Sequence, residues 1–305
     1  MALKIKHNGV EITKGKPPSK CFLYDRYGEM LDSLSISFPK EYQDLDFFQY
    51  DELEVIADGF STGVMYVDGA NLVGGEYYAE AISYKHINRN KSSGLWKNIS
   101  LLEFAKDIAK NSGLTLKTYG VTDYVYNAIS KVNETDLECL NRICKREGYS
   151  IKCDNGCLLI FNEHYLESNA KPLELKKSEV NPNYMFSRNS SGLSKVTVQY
   201  YDFENDKKIE YTAIDNDIQG GSRVITEYVK DAGEAERFAK GYLRQANKAY
   251  LTATISMQLR TDISAGTVLS LKEFEEYSGN YVAYEAVHDV LNERTMLKIR
   301  GILGY

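Results

Sequence analysis

The stretch Ser100-Leu101-Leu102-Glu103-Phe104-Ala105-Lys106-Asp107-Ile108-Ala109 opens with a capping box, Ser100-x-x-Glu103. In this device the serine hydroxyl accepts from an orphan amide of the first turn and the glutamate reaches back to the cap. Leu101, Phe104, Ala105, Ile108 and Ala109 then fall on one face at helical spacing, and Gly113 supplies the left-handed stop. The same device returns at Thr135-x-x-Glu138, opening a second helix in which Leu137, Leu140, Ile143 and Cys144 face inward and which Gly148 ends. Next, Tyr149-Ser150-Ile151-Lys152-Cys153 and Leu158-Leu159-Ile160-Phe161 flank Asp154-Asn155-Gly156, a strong hairpin signal. Residues 98–165 therefore read as a small α+β unit of two helices and a hairpin.

Outward from this unit the period changes from helical to alternating. On the N-terminal side, Leu3-Lys4-Ile5-Lys6 and Leu34-Ser35-Ile36-Ser37-Phe38 alternate with period two. Further strands are expected over 53–57, 64–67 and 77–84, with Asp58-Gly59 and Asp68-Gly69 as hairpin turns and Tyr24-Asp25-Arg26-Tyr27-Gly28-Glu29 as another turn. On the C-terminal side, residues 163–183 are polar and broken by Lys171-Pro172 and Asn181-Pro182, so no regular element is expected there. Lys195-Val196-Thr197-Val198-Gln199-Tyr200 alternates again, and Asn205-Asp206 turns into Lys208-Ile209-Glu210-Tyr211. One helix, roughly 232–249 with Asp231 as cap, carries Ala235, Phe238, Ala239, Tyr242 and Leu243 as its stripe. Strands resume over 251–259, 267–271, 281–289 and 295–299. The division is thus 1–92, 98–165 and 170–305, and many short strands with regular turns point to barrels or sandwiches. The fold class is α+β, dominated by β.

Composition narrows the function classes. The formal charge of −6 on 305 residues, with signs interspersed, argues against a dedicated nucleic-acid binder, which should show a basic face. The 24 tyrosines suit half-buried strands and protein interfaces, because each offers a large ring and a polar tip. No segment approaches the roughly 20 apolar residues of a membrane-spanning helix, and the first 16 residues alternate like a strand with no signal-peptide core. Five cysteines, an odd number, imply free thiols in a chain made in a reducing cytosol, without a membrane anchor.

Cys139 and Cys144 would sit about 140° apart on a helix, and although Cys153 and Cys157 flank a turn, small thiols are the better reading than zinc ligands. His7, His86, His164 and His288 are scattered, without a nucleophile context near them. Glu273, Glu275 and Glu276 read as a solvated face, and Gly74-Gly75 and Gly220-Gly221 as loop glycines that lack a phosphate-loop ending. No catalytic, cofactor-binding or metal residue is assigned, and no cofactor is expected.

Against this background the order of units and several residues resemble the tail-hub family of contractile phages, the late control gene D proteins. The same fold family covers hubs of R-type bacteriocins and the hub portion of type VI secretion spikes. The resemblance is carried by 101–109, Gly113-Leu114-Thr115-Leu116, Asn133-Glu134-Thr135-Asp136-Leu137, Leu140, Gly148-Tyr149 and Gly156-Cys157-Leu158-Leu159-Ile160-Phe161. Asp25 with Gly28, 34–38, 51–55, Ala265-Gly266-Thr267-Val268-Leu269-Ser270-Leu271 and Gly279-Asn280-Tyr281 add to it.

What the resemblance implies is a structural subunit and no enzyme. Two tube-like β-barrels would flank the small α+β unit, and three copies would form a ring that presents six similar surfaces. Such a homotrimer would adapt a sixfold tail tube, or its initiator protein, to a trimeric spike. Baseplate wedge proteins would sit around it and a tape-measure protein in its channel. The particle, a phage tail or a bacteriocin, would be assembled in the bacterial cytoplasm and released by lysis. Aromatic stretches at 42–50 (Tyr42, Tyr50), 200–203 (Tyr200, Phe203) and 277–284 (Tyr277, Tyr284) are the candidate interfaces. The alternative classes are a cell-wall hydrolase and a carbohydrate-binding tail tip.

Overall fold

The computed structural model describes residues 3–28, 31–42, 45–57, 60–85 and 90–305. The expected turn at Asp58-Gly59, the residue Glu29 and the residue His86 lie outside them. The N-terminal part is made of β1 (Leu3–His7), β2 (Val10–Glu11), β3 (Lys20–Arg26), β4 (Ser33–Pro39), β5 (Glu52–Ala57), β6 (Phe60–Ser61), β7 (Met65–Val73) and β8 (Glu76–Ile82). Alternation decides their inner face: Leu34 and Ile36 on β4 and Leu53, Val55 and Ala57 on β5 are buried, and the residues between them are not. Two turn expectations are corrected. The segment expected to turn at Tyr24 is still strand through Arg26, because Asp25 and Arg26 meet buried partners of opposite charge. Asp68 and Gly69 lie inside β7, where a register shift between Val67 and Gly69 marks a bulge. The turn comes at Gly74-Gly75, both at positive φ, between the paired Val73 and Glu76.

The middle part runs β9 (Ser92–Ser100), α1 (Leu101–Asn111), β10 (Thr115–Tyr119), β11 (Val125–Glu134), α2 (Asp136–Arg146), β12 (Tyr149–Asp154), β13 (Cys157–Asn162) and α3 (Glu163–Asn169). Both capping boxes form as read, with Ser100 accepting from the Glu103 amide and Thr135 from the Glu138 amide. Gly113 and Gly148 follow the two helices at positive φ. Asn155 and Gly156 link β12 to β13 at φ 45° and 70°, the two-residue turn whose twist matches the strands it joins. α3 is a correction to the expectation of no regular structure after residue 163. Asn162 caps it, and its inward residues are Glu163 and Glu167, one turn apart, so a polarity-based reading takes its buried face for a solvated loop.

The remainder holds β14 (Leu173–Lys176), β15 (Met185–Arg188), β16 (Leu193–Asp202), β17 (Lys207–Ile214), β18 (Gly221–Thr226), α4 (Ala232–Asn247), β19 (Leu251–Gln258), β20 (Val268–Lys272), β21 (Gly279–Asp289) and β22 (Arg294–Gly301). With 22 strands and four α-helices among the described residues, β structure dominates.

Fourteen strands form one continuous sheet, in the path β15-β19-β22-β21-β3-β4-β8-β7-β5-β1-β2, with β20, β14 and β6 as branches. The step from β21 to β3 joins the C-terminal half to the N-terminal half, with Glu285 opposite Arg26 and Asp289 opposite Phe22. No ladder closes either half into a ring among the described residues, although a single bridge between Val180 and Met257 links the segment after β14 to β19.

The buried side chains fall into three clusters. One fills the N-terminal half, around Ile5, Leu34, Phe38 and Val55, and takes in Val290 from the C-terminal half. A second, around Leu175, Ile255, Leu269 and Ile299, lies within the C-terminal half. The third joins the α+β unit to α4 and the β16–β18 sheet: Phe104, Ile143 and Leu158 share it with Val196, Val198, Phe238 and Leu243. The segment 193–243, part of the C-terminal unit in the linear division, thus packs with the middle one.

Helix α4 crosses the end of α2 at Gly241, where a Cβ would overlap the carbonyl oxygen of Arg146. Gly241→Ala should therefore destabilise the protein by about 1–3 kcal/mol, even though alanine favours a helix interior by about 1 kcal/mol. Urea unfolding followed by circular dichroism checks this; a variant as stable as the parent would show that the two helices can part at no cost.

Candidate functional site

The polar residues that organise this molecule are buried between its parts. Glu163 and Glu167 point from α3 into a buried space shared with Arg244 of α4, Lys248 at its C-terminal cap and Arg300 of β22. Arg244 Nη1 lies 2.8 Å from Glu167 Oε1, and Arg300 Nη2 lies 2.7 Å from Glu167 Oε1 and 3.0 Å from Glu163 Oε2. Lys248 Nζ lies 2.5 Å from Glu163 Oε1. Arg244 and Arg300 are only 2% and 3% exposed, so water contributes little to their solvation. Three cations face two carboxylates, and additional acceptors join them: the carbonyls of Leu303 and Tyr305 for Arg244 and the Tyr27 hydroxyl for Arg300. Burial alone would raise the Glu163 carboxyl, but Lys248, Arg300 and Arg244 outweigh it and hold it at about 2. Burial pushes the Lys248 ammonium down, and Tyr27 is pushed up to about 12. Charges satisfied by one another at this depth fix geometry; they are not free to titrate against a substrate.

A second buried set ties the N-terminal sheet to the α+β unit. Lys152 of β12 donates to Asp25 of β3 and lies 3.7 Å from Asp32, whose carboxylate accepts from the Arg26 amide at 2.6 Å. Burial raises both carboxyls despite the lysine, Asp32 to about 8. Between these two parts runs a cleft of about 940 Å³. Its apolar walls include Leu31, Ile82, Leu137, Ile151 and Tyr242, and Arg142, Lys145 and Arg146 line the α2 side.

The residues weighed in the sequence fall apart in space. Cys21, Cys139, Cys144 and Cys153 are buried thiols and Cys157 is half-buried. Cys139 and Cys144 both reach the core from α2. His7 bonds to Asp51 at 2.8 Å, whereas His288 is buried against Thr295 and held down to about 4 by burial. His164 is exposed on α3, and Glu273, Glu275 and Glu276 are exposed as expected.

Each candidate aromatic stretch divides between core and surface. Phe47 is buried and Phe48 and Tyr50 are exposed; Tyr281 is buried and Tyr277 stacks on Phe186 at 4.5 Å; Tyr200 packs on Tyr228 at 5.1 Å. Phe203 stands apart at 85% exposed. Sequence reading missed the ion cluster. The one available signal was the Glu163–Glu167 spacing of four, which helical geometry places on a single face.

Glu163→Gln would leave the three cations facing one carboxylate and should cost about 3–5 kcal/mol at neutral pH. The sign follows from the lowered carboxyl. An unfolded glutamate titrates near about 4.3, so the stability Glu163 contributes is complete above that value and is lost as pH falls toward about 2. The variant's stability should accordingly vary less than the parent's across this window. Denaturant unfolding at stepped pH checks it, and parallel curves would show that Glu163 is not held ionised.

No protein-family model and no curated protein matches the chain. Solved structures do. A prophage MuSo2 43 kDa tail protein from Shewanella oneidensis is similar over 97% of each chain, with a TM-score of 0.75 and 15% identity. A tail protein from Neisseria meningitidis MC58 is similar over 98% of this chain and 96% of its own, with a TM-score of 0.76 and 14% identity. The Escherichia coli c3393 protein, a type VI secretion component described as structurally similar to the T4 tail proteins gp27 and gp5, is similar over 99% of this chain and 78% of its own, at 0.61 and 9%. At these identities the likeness is one of fold, and the chain accordingly has the fold shared by these tail proteins and this secretion component.

Proposed function

We propose that the chain is a non-enzymatic hub subunit of a contractile tail or tail-like particle, in which three copies form a ring between a sixfold tube and a threefold spike. The observation that carries this reading is the β21–β3 joint. It fuses two β-rich halves, each with its own apolar core, into one sheet whose path ends at β15 on one side and β2 on the other. Two such halves per chain, three times over, offer six comparable surfaces where one chain type must meet a sixfold partner. The open ends need cover, since an unpaired edge left in water invites association. Whole-chain likeness to tail proteins supports the same role.

On this reading the β-rich halves, within 1–92 and 170–305, are the tube-like domains. The segment 193–250 leaves the second half to pack with the unit at 98–165. The partners are a trimeric spike, the tube or its initiator, wedge proteins and, in the channel, tape-measure protein. The particle is made in the bacterial cytoplasm and freed by lysis. No described helix is long and apolar enough to cross a membrane.

Light scattering of the purified chain, alone and with the spike protein encoded beside it, should give three times the 34.6 kDa chain mass in at least one sample. Images of that species should show a threefold ring with a central opening. A chain that stays monomeric in both samples overturns the proposal.

A further inference from the structure

The two buried charge sets carry opposite imbalances. Around Glu163 and Glu167 there are three cations for two carboxylates, whereas Asp25 and Asp32 share the single ammonium of Lys152. Both of these carboxylates are buried and both reach the same Nζ, so they face each other across it. The other groups packed around them leave that count unchanged. On β3 and β21, Arg26 is matched by Glu285, and its amide serves Asp32. Beyond Lys152 on β12, burial holds the Cys153 thiol protonated, and Asp154 at the turn faces Lys117 of β10. From the C-terminal half come the Ala265 amide beside Asp25 and the ring of His288, which burial keeps neutral with Asp262 near it. Among the described residues, one buried cation thus answers two buried carboxylates. Two ionised carboxylates held this close with so little water oppose each other, and the low-energy state of such a pair keeps one proton.

This set also spans a border with little apolar support. The N-terminal core contains no residue of the α+β unit, and among the described residues of the N-terminal half only Leu31 and Tyr84 reach the core of that unit. α4, by contrast, buries Ala235, Phe238, Ala239 and Leu243 in it. The outer edge of β12 is seated on the N-terminal half by polar contacts. The Gly28 amide donates to the Ile151 carbonyl at 2.8 Å, and the next residue is Lys152 with its two carboxyls. Tyr27 adds a ring contact with Phe161. How firmly this border holds therefore depends on the charge state of the three polar side chains.

We propose that Asp25, Asp32 and Lys152 form a proton-operated latch, closed while one proton is held between the two carboxyls and released when that proton leaves, which frees the edge of β12 from the N-terminal sheet. The direction follows from linkage. Opened to water, an aspartate titrates near about 3.9, whereas in the closed seam Asp32 stands at about 8. The closed form therefore binds one proton more than the open form across this interval. Opening becomes easier as pH rises, by up to about tenfold per pH unit, and levels off above about 8. Glu163 loses its charge only at the acid end, so the two seams respond to opposite changes of pH. The latch is a property of the single chain and does not depend on the ring.

Hydrogen exchange of the full chain, followed by mass spectrometry from about pH 6 to about pH 9, tests the latch. After division by the intrinsic exchange rate, opening at 149–154 should rise by up to about tenfold per pH unit to about pH 8 and then level off. Exchange at 238–243, inside the core shared with α4, should follow the intrinsic rate alone. Asp32→Asn imitates the protonated acid and leaves Asp25 and Lys152 as a neutral pair. It should keep 149–154 closed across the whole range, at least about tenfold less open than the parent at about pH 8. Opening in the parent that ignores pH, or an Asp32→Asn curve parallel to the parent's, overturns the latch. Infrared spectra of the unmodified chain give a reading that needs no variant. A protonated carboxyl stretch should persist at about pH 7 and be lost by about pH 9, and its absence at about pH 7 overturns the proposal equally.

Discussion

The arrangement of this protein depends on a buried exchange of charge. Glu163 and Glu167 lie on a helix of seven residues, too short to be stable in isolation. The carboxylates are inside because Arg244, Lys248 and Arg300 are also inside, each delivered by a different or distant piece of chain. α3 leaves the hairpin of the middle unit, α4 belongs to the core that this unit shares with the β16–β18 sheet, and β22 belongs to the C-terminal half. One cluster therefore couples the α+β body to the large sheet. Apolar contacts could join these parts too, but they tolerate sliding, whereas a set of directional charged bonds has one low-energy register.

The Lys152 junction repeats the principle at the other border. A lysine from β12 is held by Asp25 and Asp32, and Arg26 beside them turns to Glu285 across the β3–β21 joint. The chain places its costliest groups along seams. Each of its three apolar cores is complete within itself, and the polar seams fix how the cores are set against one another.

This division explains what could be read from the sequence. The helices α1 and α2 and the β12–β13 hairpin were legible because their signals are local: Ser100 with Glu103, Thr135 with Glu138, and Asn155-Gly156 at positive φ. Strands with clean alternation, such as β4 and β5, were legible for the same reason. The end of β3 reads as a turn from Tyr24 on, because Asp25 and Arg26 look like solvent residues until Lys152 and Glu285 arrive from far along the chain. α3 was read as loop because its inner face is made of two glutamates. Arg244 stands outside the apolar stripe read for α4, yet it is among the most buried side chains present. Where burial is bought by a distant partner, one-dimensional patterns point the wrong way. The cleft and its contents were invisible for the same reason: they exist only between elements.

The cysteines carry a last consequence. Burial pushes the thiols of Cys21 and Cys153 up to about 12 and that of Cys139 to about 11. A thiol that resists ionisation resists oxidation, because the thiolate is the reactive form. Cys157 is the one thiol near the surface, and the other four are shut inside the cores. The four enclosed thiols are thus shielded from an oxidant in the surrounding water, and Cys157 is the thiol such a reagent would meet first.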